Sequence, residues 1–135
     1  MITTNHVYSR IRDAVKTEYP NAYLTADKVS APPHFPCVEC AEMDSYPERS
    51  ATTINMTDEQ RRSVFEVQAY SNKQNGAALE AREIMDIVTA EFKAMGYRCT
   101  TCSPLVNAAD TTIKRYVARY TRLIGGGDTL YDEED

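Results

Sequence analysis

The sequence predicts a single α+β domain in the order α-β-β-β-α-β-β, a mixed or antiparallel sheet with two helices packed on one face. Three observations predict it. Between Val64 and Tyr70, Phe65, Val67 and Ala69 alternate with Val64, Glu66, Gln68 and Tyr70, which is the period of a half-buried strand. After a break at Ser71-Asn72-Lys73-Gln74-Asn75-Gly76, the apolar residues Ala78, Ala81, Met85, Val88, Phe92 and Met95 recur at three- and four-residue spacing. Arg82, Glu83, Asp86 and Lys93 take the opposite side, so this helix has one stripe to bury and must lie on a sheet. Finally, a chain of 135 residues is one domain by size, large enough for a real core and too small for separate cofactor and substrate domains.

Each element follows from local chemistry. From Thr4 to Tyr19, Val7, Ile11, Ala14 and Val15 share one helical face, Arg12, Asp13 and Lys16 lean away, and Pro20 ends the helix. Ala22 to Thr25 suits a short strand. The run Ala31-Pro32-Pro33-His34-Phe35-Pro36 forces an extended connection, because proline removes the amide and restricts the residue before it. A second strand is expected from about Cys37 to Met43. The polar stretch from Asp44 to Arg62 is long for a connection in a compact domain and reads as a protruding hairpin or a mobile loop with a task. For the second helix, Asn75 is the expected N-cap and Gly96 the expected left-handed residue beyond the C-terminus. A strand near Tyr97 to Thr101, a loop from Cys102 to Asp110 and a last strand from about Thr111 to Ile124 complete the chain. On that strand Tyr116, Ala118 and Tyr120 share one face, and Arg115, Arg119 and Thr121 the other.

The net charge of −5 is unevenly placed. All 15 Lys and Arg lie at or before Arg122, with 15 of the 20 acids, so residues 1–124 are neutral. The imbalance belongs to residues 125–135, a Gly125-Gly126-Gly127 linker followed by Asp128 and Asp132-Glu133-Glu134-Asp135, expected to be flexible until a partner orders it. Lys114, Arg115, Arg119 and Arg122 make a basic strand just before it, a pattern suited to charge-complementary contact with other subunits rather than to broad nucleic-acid affinity. No apolar run reaches the roughly 20 residues of a membrane helix, and the first residues lack the regions of a signal peptide, so a cytoplasmic product without membrane contact is expected.

Few constellations suggest chemistry. Cys37-Val38-Glu39-Cys40 and Cys99-Thr100-Thr101-Cys102 are two CxxC pairs, the spacing of a four-thiolate zinc site. Ala41 and Ser103 follow them where zinc knuckles favour glycine, and residues three apart on a strand point to opposite faces, so buried apolar thiols are the favoured reading and no metal or other cofactor is expected. Glu39, Glu42 and Asp44 are the nearest approach to a carboxylate cluster, and Glu42 and Asp44 would share a strand face as Mg²⁺ ligands of a nuclease might, although acids are common where a strand enters a polar loop. His6 and His34 lack an orienting acid, no nucleophile elbow or phosphate loop appears, and no catalytic residue is assigned.

Taken in order, Tyr70-Ser71-Asn72-Lys73, Gly76, the helix, Met95-Gly96-Tyr97, Pro104, Asn107, Asp110-Thr111-Thr112 and Arg119-Tyr120 resemble the tail terminator, or tail completion, proteins of long-tailed bacteriophages and their prophage relatives. Pro32-Pro33-His34-Phe35-Pro36 and Glu42-Met43-Asp44 are similar to the same family, and the resemblance spans most of residues 1–124. It implies a structural, non-enzymatic virion protein of the tail and neck, made in the host cytoplasm. It further implies a hexameric ring that caps the tail tube, ends tube polymerisation and meets the head-side connector or stopper protein, with DNA only passing through the lumen. On this reading Arg49, Arg61, Arg62, Arg115 and Arg119 are the expected oligomer or partner contacts. The alternatives are a head-completion or minor capsid protein at the connector and, from a different class, a zinc-binding or nuclease module.

Overall fold

A computed structural model describes residues 3–27, 32–47, 61–105 and 112–124. Along them run α1 (Thr4–Glu18), β1 (Tyr23–Thr25), β2 (Cys37–Pro47), β3 (Arg61–Ser71), α2 (Ala77–Ala94), β4 (Arg98–Leu105) and β5 (Lys114–Ile124), the predicted order. The strands form one five-stranded sheet in the order β1-β2-β3-β5-β4, mixed because β1 runs parallel to β2 while every other pair is antiparallel. Both helices lie on one face of it.

The core forms where the two periodicities meet. Phe65, Val67 and Ala69 of β3 are fully buried beside Val38 and Cys40 of β2 and Ala118 and Tyr120 of β5. Val7, Ile11 and Val15 of α1 and Ala81, Ile84, Met85, Val88 and Phe92 of α2 cover them. The stripe of α2 therefore differs from the predicted one at three places: Ala78 is exposed, while Ala77 and Ile84 are buried. The stripe is wider than a single row because a helix lying flat on a sheet presents about 100° of its surface. At its centre the Phe92 ring stacks on Tyr120 with centroids 4.2 Å apart, Tyr97 packs edge-on against it at 5.1 Å, and Phe65 lies tilted beside it at 5.6 Å. Such contacts add to burial because the ring quadrupoles favour offset and edge-on arrangements.

The helix ends follow capping chemistry with one correction. Thr3 Oγ1 accepts the His6 amide at 3.2 Å and caps α1. For α2 the N-cap is Gly76, not Asn75: its φ of 86° is left-handed, and no side chain caps the amides. Gly96 behaves as predicted, with φ of 94°; its amide bonds the Lys93 carbonyl at 3.0 Å and the Tyr97 amide bonds the Phe92 carbonyl at 2.9 Å, a Schellman motif. Arg122, which the basic-strand reading grouped with the exposed cations, lies on the core face, 5% exposed, and its Nη1 donates to the Met95 carbonyl at 2.6 Å. A cation at a helix C-terminus meets the negative end of the helix dipole, and this explains a buried arginine in an otherwise apolar layer.

Strand ends are longer than expected. β2 runs to Pro47 and β3 starts at Arg61, so the predicted loop from Asp44 to Arg62 loses strand residues at both ends to an antiparallel β2–β3 pairing. β4 continues through Pro104 to Leu105, taking part of the expected 102–110 loop, which an edge strand tolerates because one side of it needs no amide donor. β5 begins at Lys114, three residues later than expected. The rest of the 48–60 connection, Asn107, Asp110, Thr111 and the Gly-rich acidic end from Gly125 lie outside the described residues.

Candidate functional site: the uncovered face of the sheet

With both helices on one face, the other face of β2, β3, β5 and β4 carries the residues of opposite parity. The register lines them up in three cross-strand rows: Cys37, Tyr70, Arg115 and Leu105; Glu39, Gln68, Val117 and Ser103; Ala41, Glu66, Arg119 and Thr101. Acids gather on the β2–β3 side and cations on β5.

These side chains are bound to one another. Tyr70 donates its hydroxyl to Glu39 Oε2 at 2.6 Å, and Gln68 Oε1 lies 3.0 Å from the same hydroxyl. Gln68 Nε2 donates to Glu66 Oε1 at 3.1 Å, and the other Glu66 oxygen receives Arg119 Nε at 3.1 Å. The Arg115 guanidinium sits 5.6 Å from the Tyr70 ring centroid, a cation–π contact, and its Nε is enclosed without an acceptor. Burial, followed by the hydrogen bond to the Glu39 carboxylate and its charge, pushes the Tyr70 phenol up to about 12, while Arg115 pulls the other way. Glu39 is only 5% exposed, and beside it a hollow of about 280 Å³ is lined by Glu39, Ala41, Glu42, Met43, Glu66 and Gln68. The surface is a chain of charge-assisted hydrogen bonds on rigid strands, ordered before anything meets it.

The predicted contact arginines divide across the sheet. Arg115 and Arg119 stand on the uncovered face in the first and third rows, separated by the Val117 row, with Arg62 on the same face further along β3, its Nη1 3.4 Å from Thr121 Oγ1. Arg61 takes the opposite parity, with Nη1 4.0 Å from Glu42 Oε2. Arg49 lies outside the described residues. Sequence alone did not point to Glu39, Gln68 and Tyr70 as partners of this row, because that needs the strand register; outward-facing Tyr70 next to polar Gln68 was the only trace of it.

The two CxxC pairs lie on β2 and β4, which β3 and β5 separate. Three strand spacings put them ~14 Å apart, so the four sulfurs do not share one ion. Cys37 and Cys40 are buried on opposite faces, and burial pushes both thiols up to about 12, away from the thiolate a metal needs. Cys102, expected to be buried, is exposed because β4 is the sheet edge. Among the described residues no group of three or more His, Cys, Asp and Glu could hold a metal ion. The carboxylate reading loses its geometry to a bulge at Met43, which sets Glu42 opposite Phe65 and Asp44 opposite the adjacent Val64, so the two no longer take alternate positions on one face. His6 and His34 are both exposed, His34 against the Tyr23 ring at 6.0 Å. Among the described residues no helix is long and apolar enough to cross a membrane.

No family model matches this chain, and no curated protein matches it significantly.

Proposed function

We propose that this chain is a non-catalytic virion assembly subunit of the tail terminator type, a ring subunit that caps the tail tube, ends its polymerisation and offers the surface that joins the head-side connector. The hexameric state, the tube and connector partners and the place in the tail come from the sequence resemblance. The structural observation that supports the reading is the uncovered sheet face, where Glu39, Gln68, Tyr70, Glu66, Arg119 and Arg115 form one ordered, charged platform. Tyr70 and Glu39 are buried, 4% and 5% exposed, and hold the base rigid, while Arg119, Arg115, Glu66 and Gln68 remain accessible for protein docking: little entropy is lost on contact, and the charges select the partner. A broad platform of this kind fits a subunit contact better than the enclosed cleft of an enzyme.

Mixing the purified chain with tail tube protein, then cross-linking and imaging by negative stain, tests the proposal. Rings at the tube ends and a six-subunit cross-linked ladder are expected. Monomers alone, both in isolation and in the mixture, would refute it, and recovery with tailless heads instead of free tails would favour the head-completion role.

A further inference from the structure

The cysteines of β4 do not obey the rule that residues three apart on a strand face opposite ways. A β-bulge lies between Cys99 and Thr101, so Cys99 stands opposite Tyr120 and Cys102 opposite Ala118. Tyr120 and Ala118 are both fully buried on the helix-covered face, and the two cysteines therefore share that face one strand period apart. The contrast with β2 is direct: Cys37 and Cys40 pair with Tyr70 and Val67 across an unbroken register and stay on opposite faces. Cys99 is half-buried and packs on the core, while Cys102 is exposed at the sheet edge, so the pair has an apolar floor and an open side. The Cys99 thiol donates to the Thr101 carbonyl at 3.3 Å, which leans its sulfur along the strand in the direction of Cys102.

We propose that Cys99 and Cys102 form a two-thiolate site for a soft monovalent cation, with cuprous copper as the ligand. Same-face neighbours two strand positions apart have Cα atoms ~6.6 Å from each other, at the far end of the range a disulfide spans. Sulfurs leaning together across a metal need approach only to ~4.6 Å, two metal–sulfur bonds of ~2.3 Å in line. Thiolates select copper(I) among the common ions, and the bare pair lacks the third and fourth ligands that hold zinc. Binding releases one proton from each thiol, so the bis-thiolate complex carries one negative charge. Burial raises the Cys102 thiol, Cys99 and Asp86 of α2 add to that, and the Arg82 guanidinium of α2 favours the thiolate, so copper(I) has to displace the protons rather than find thiolates ready. The site is independent of the ring assignment.

The test uses the full chain, reduced and kept anaerobic, titrated with copper(I) presented as its bicinchoninate complex. About one copper per chain should leave the chelator, with a thiolate-to-copper absorption band appearing. Cys102→Ser, at an exposed position, should cut uptake at least tenfold with its thermal unfolding unchanged, and Cys99→Ser should do the same. Copper that stays with the chelator, or equal uptake by Cys102→Ser, overturns the site. A loss of two mass units on exposure to glutathione disulfide, without copper uptake by the reduced protein, also overturns it and makes the pair a redox couple.

Discussion

The Glu66–Arg119 pair gives the sharpest test of whether the uncovered face meets another subunit, because a charge swap separates contacts within the chain from contacts between chains. The Arg119 side chain is 48% exposed and that of Glu66 16%, with 3.1 Å between the charged atoms. A pair this exposed contributes only about 0.2–1 kcal/mol to folding. Arg119→Glu removes it and sets two carboxylates side by side, so a cost of about 1 kcal/mol and a fall in Tm of about 3–4 °C are expected for a chain of this size. The reverse pair, Glu66→Arg with Arg119→Glu, restores attraction inside the chain and should recover most of that fall. Assembly should behave differently. If Arg119 also meets an acid on a neighbouring subunit, losing it there costs about 2–5 kcal/mol, at least a thirtyfold weakening at each contact, and in either variant the neighbour's acid faces the carboxylate that replaces the Arg119 guanidinium. Sedimentation or mass photometry on tail tube ends, with melting followed in parallel, gives both quantities. If the doubly swapped chain forms rings as well as the native one, Arg119 serves only its own Glu66 and the inter-subunit role is refuted.

Two further expectations concern the fold. Phe92→Ala empties the centre of the aromatic cluster, where the ring is fully buried and stacked on Tyr120, and should cost about 3–5 kcal/mol, roughly 10–15 °C in Tm; a loss no larger than the ~1.5 kcal/mol expected of the conservative Phe92→Leu would show that the cluster does not carry the core. Stability should also fall at high pH. Burial raises Tyr70 to about 12 and Tyr120 further, above their ordinary value near 10, so between these values the unfolded chain holds fewer protons than the folded one and unfolding becomes easier as pH rises. Denaturant midpoints that stay level from pH 9 to 12, or Tyr70→Phe leaving the alkaline decline unaltered, would contradict this account.

What the sequence made legible was periodicity, and what it hid was register. Phe65, Val67 and Ala69 could be assigned to the core from alternation alone, and Val7, Ile11 and Val15 from helical spacing, because burial acts on each residue by itself. Gly96 could be placed because a helix stop demands a left-handed residue and glycine adopts that conformation most easily. The uncovered face depends on which residues of β2, β3 and β5 stand abreast, and nothing in the local composition of Glu39, Tyr70 or Arg115 says that they do. Arg122 shows the same limit from the other side. Its charge argues for the surface, but its parity on β5 with Ala118 and Tyr120 sends it to the helix-covered side, where the Met95 carbonyl receives it.

The bulges at Met43 and Thr100 carry this furthest, because each inverts a functional inference drawn from spacing. Counting along an ideal strand puts Glu42 with Asp44 and separates Cys99 from Cys102; one extra residue in each strand undoes the first pairing and creates the second. A period of two makes any chemistry that needs two groups on one face sensitive to a single insertion, and neither Met43 nor Thr100 is a residue whose backbone preference announces one. Bulges are common at sheet edges, and β4 is an edge, so the position of β4 in the strand order, rather than the composition of its CxxC, marks where spacing should not be read directly. The same reasoning explains why the two CxxC pairs, identical in spacing, have different surroundings: the pair on β2 lies in unbroken register against β3, while the pair on β4 lies at an edge where a bulge could form.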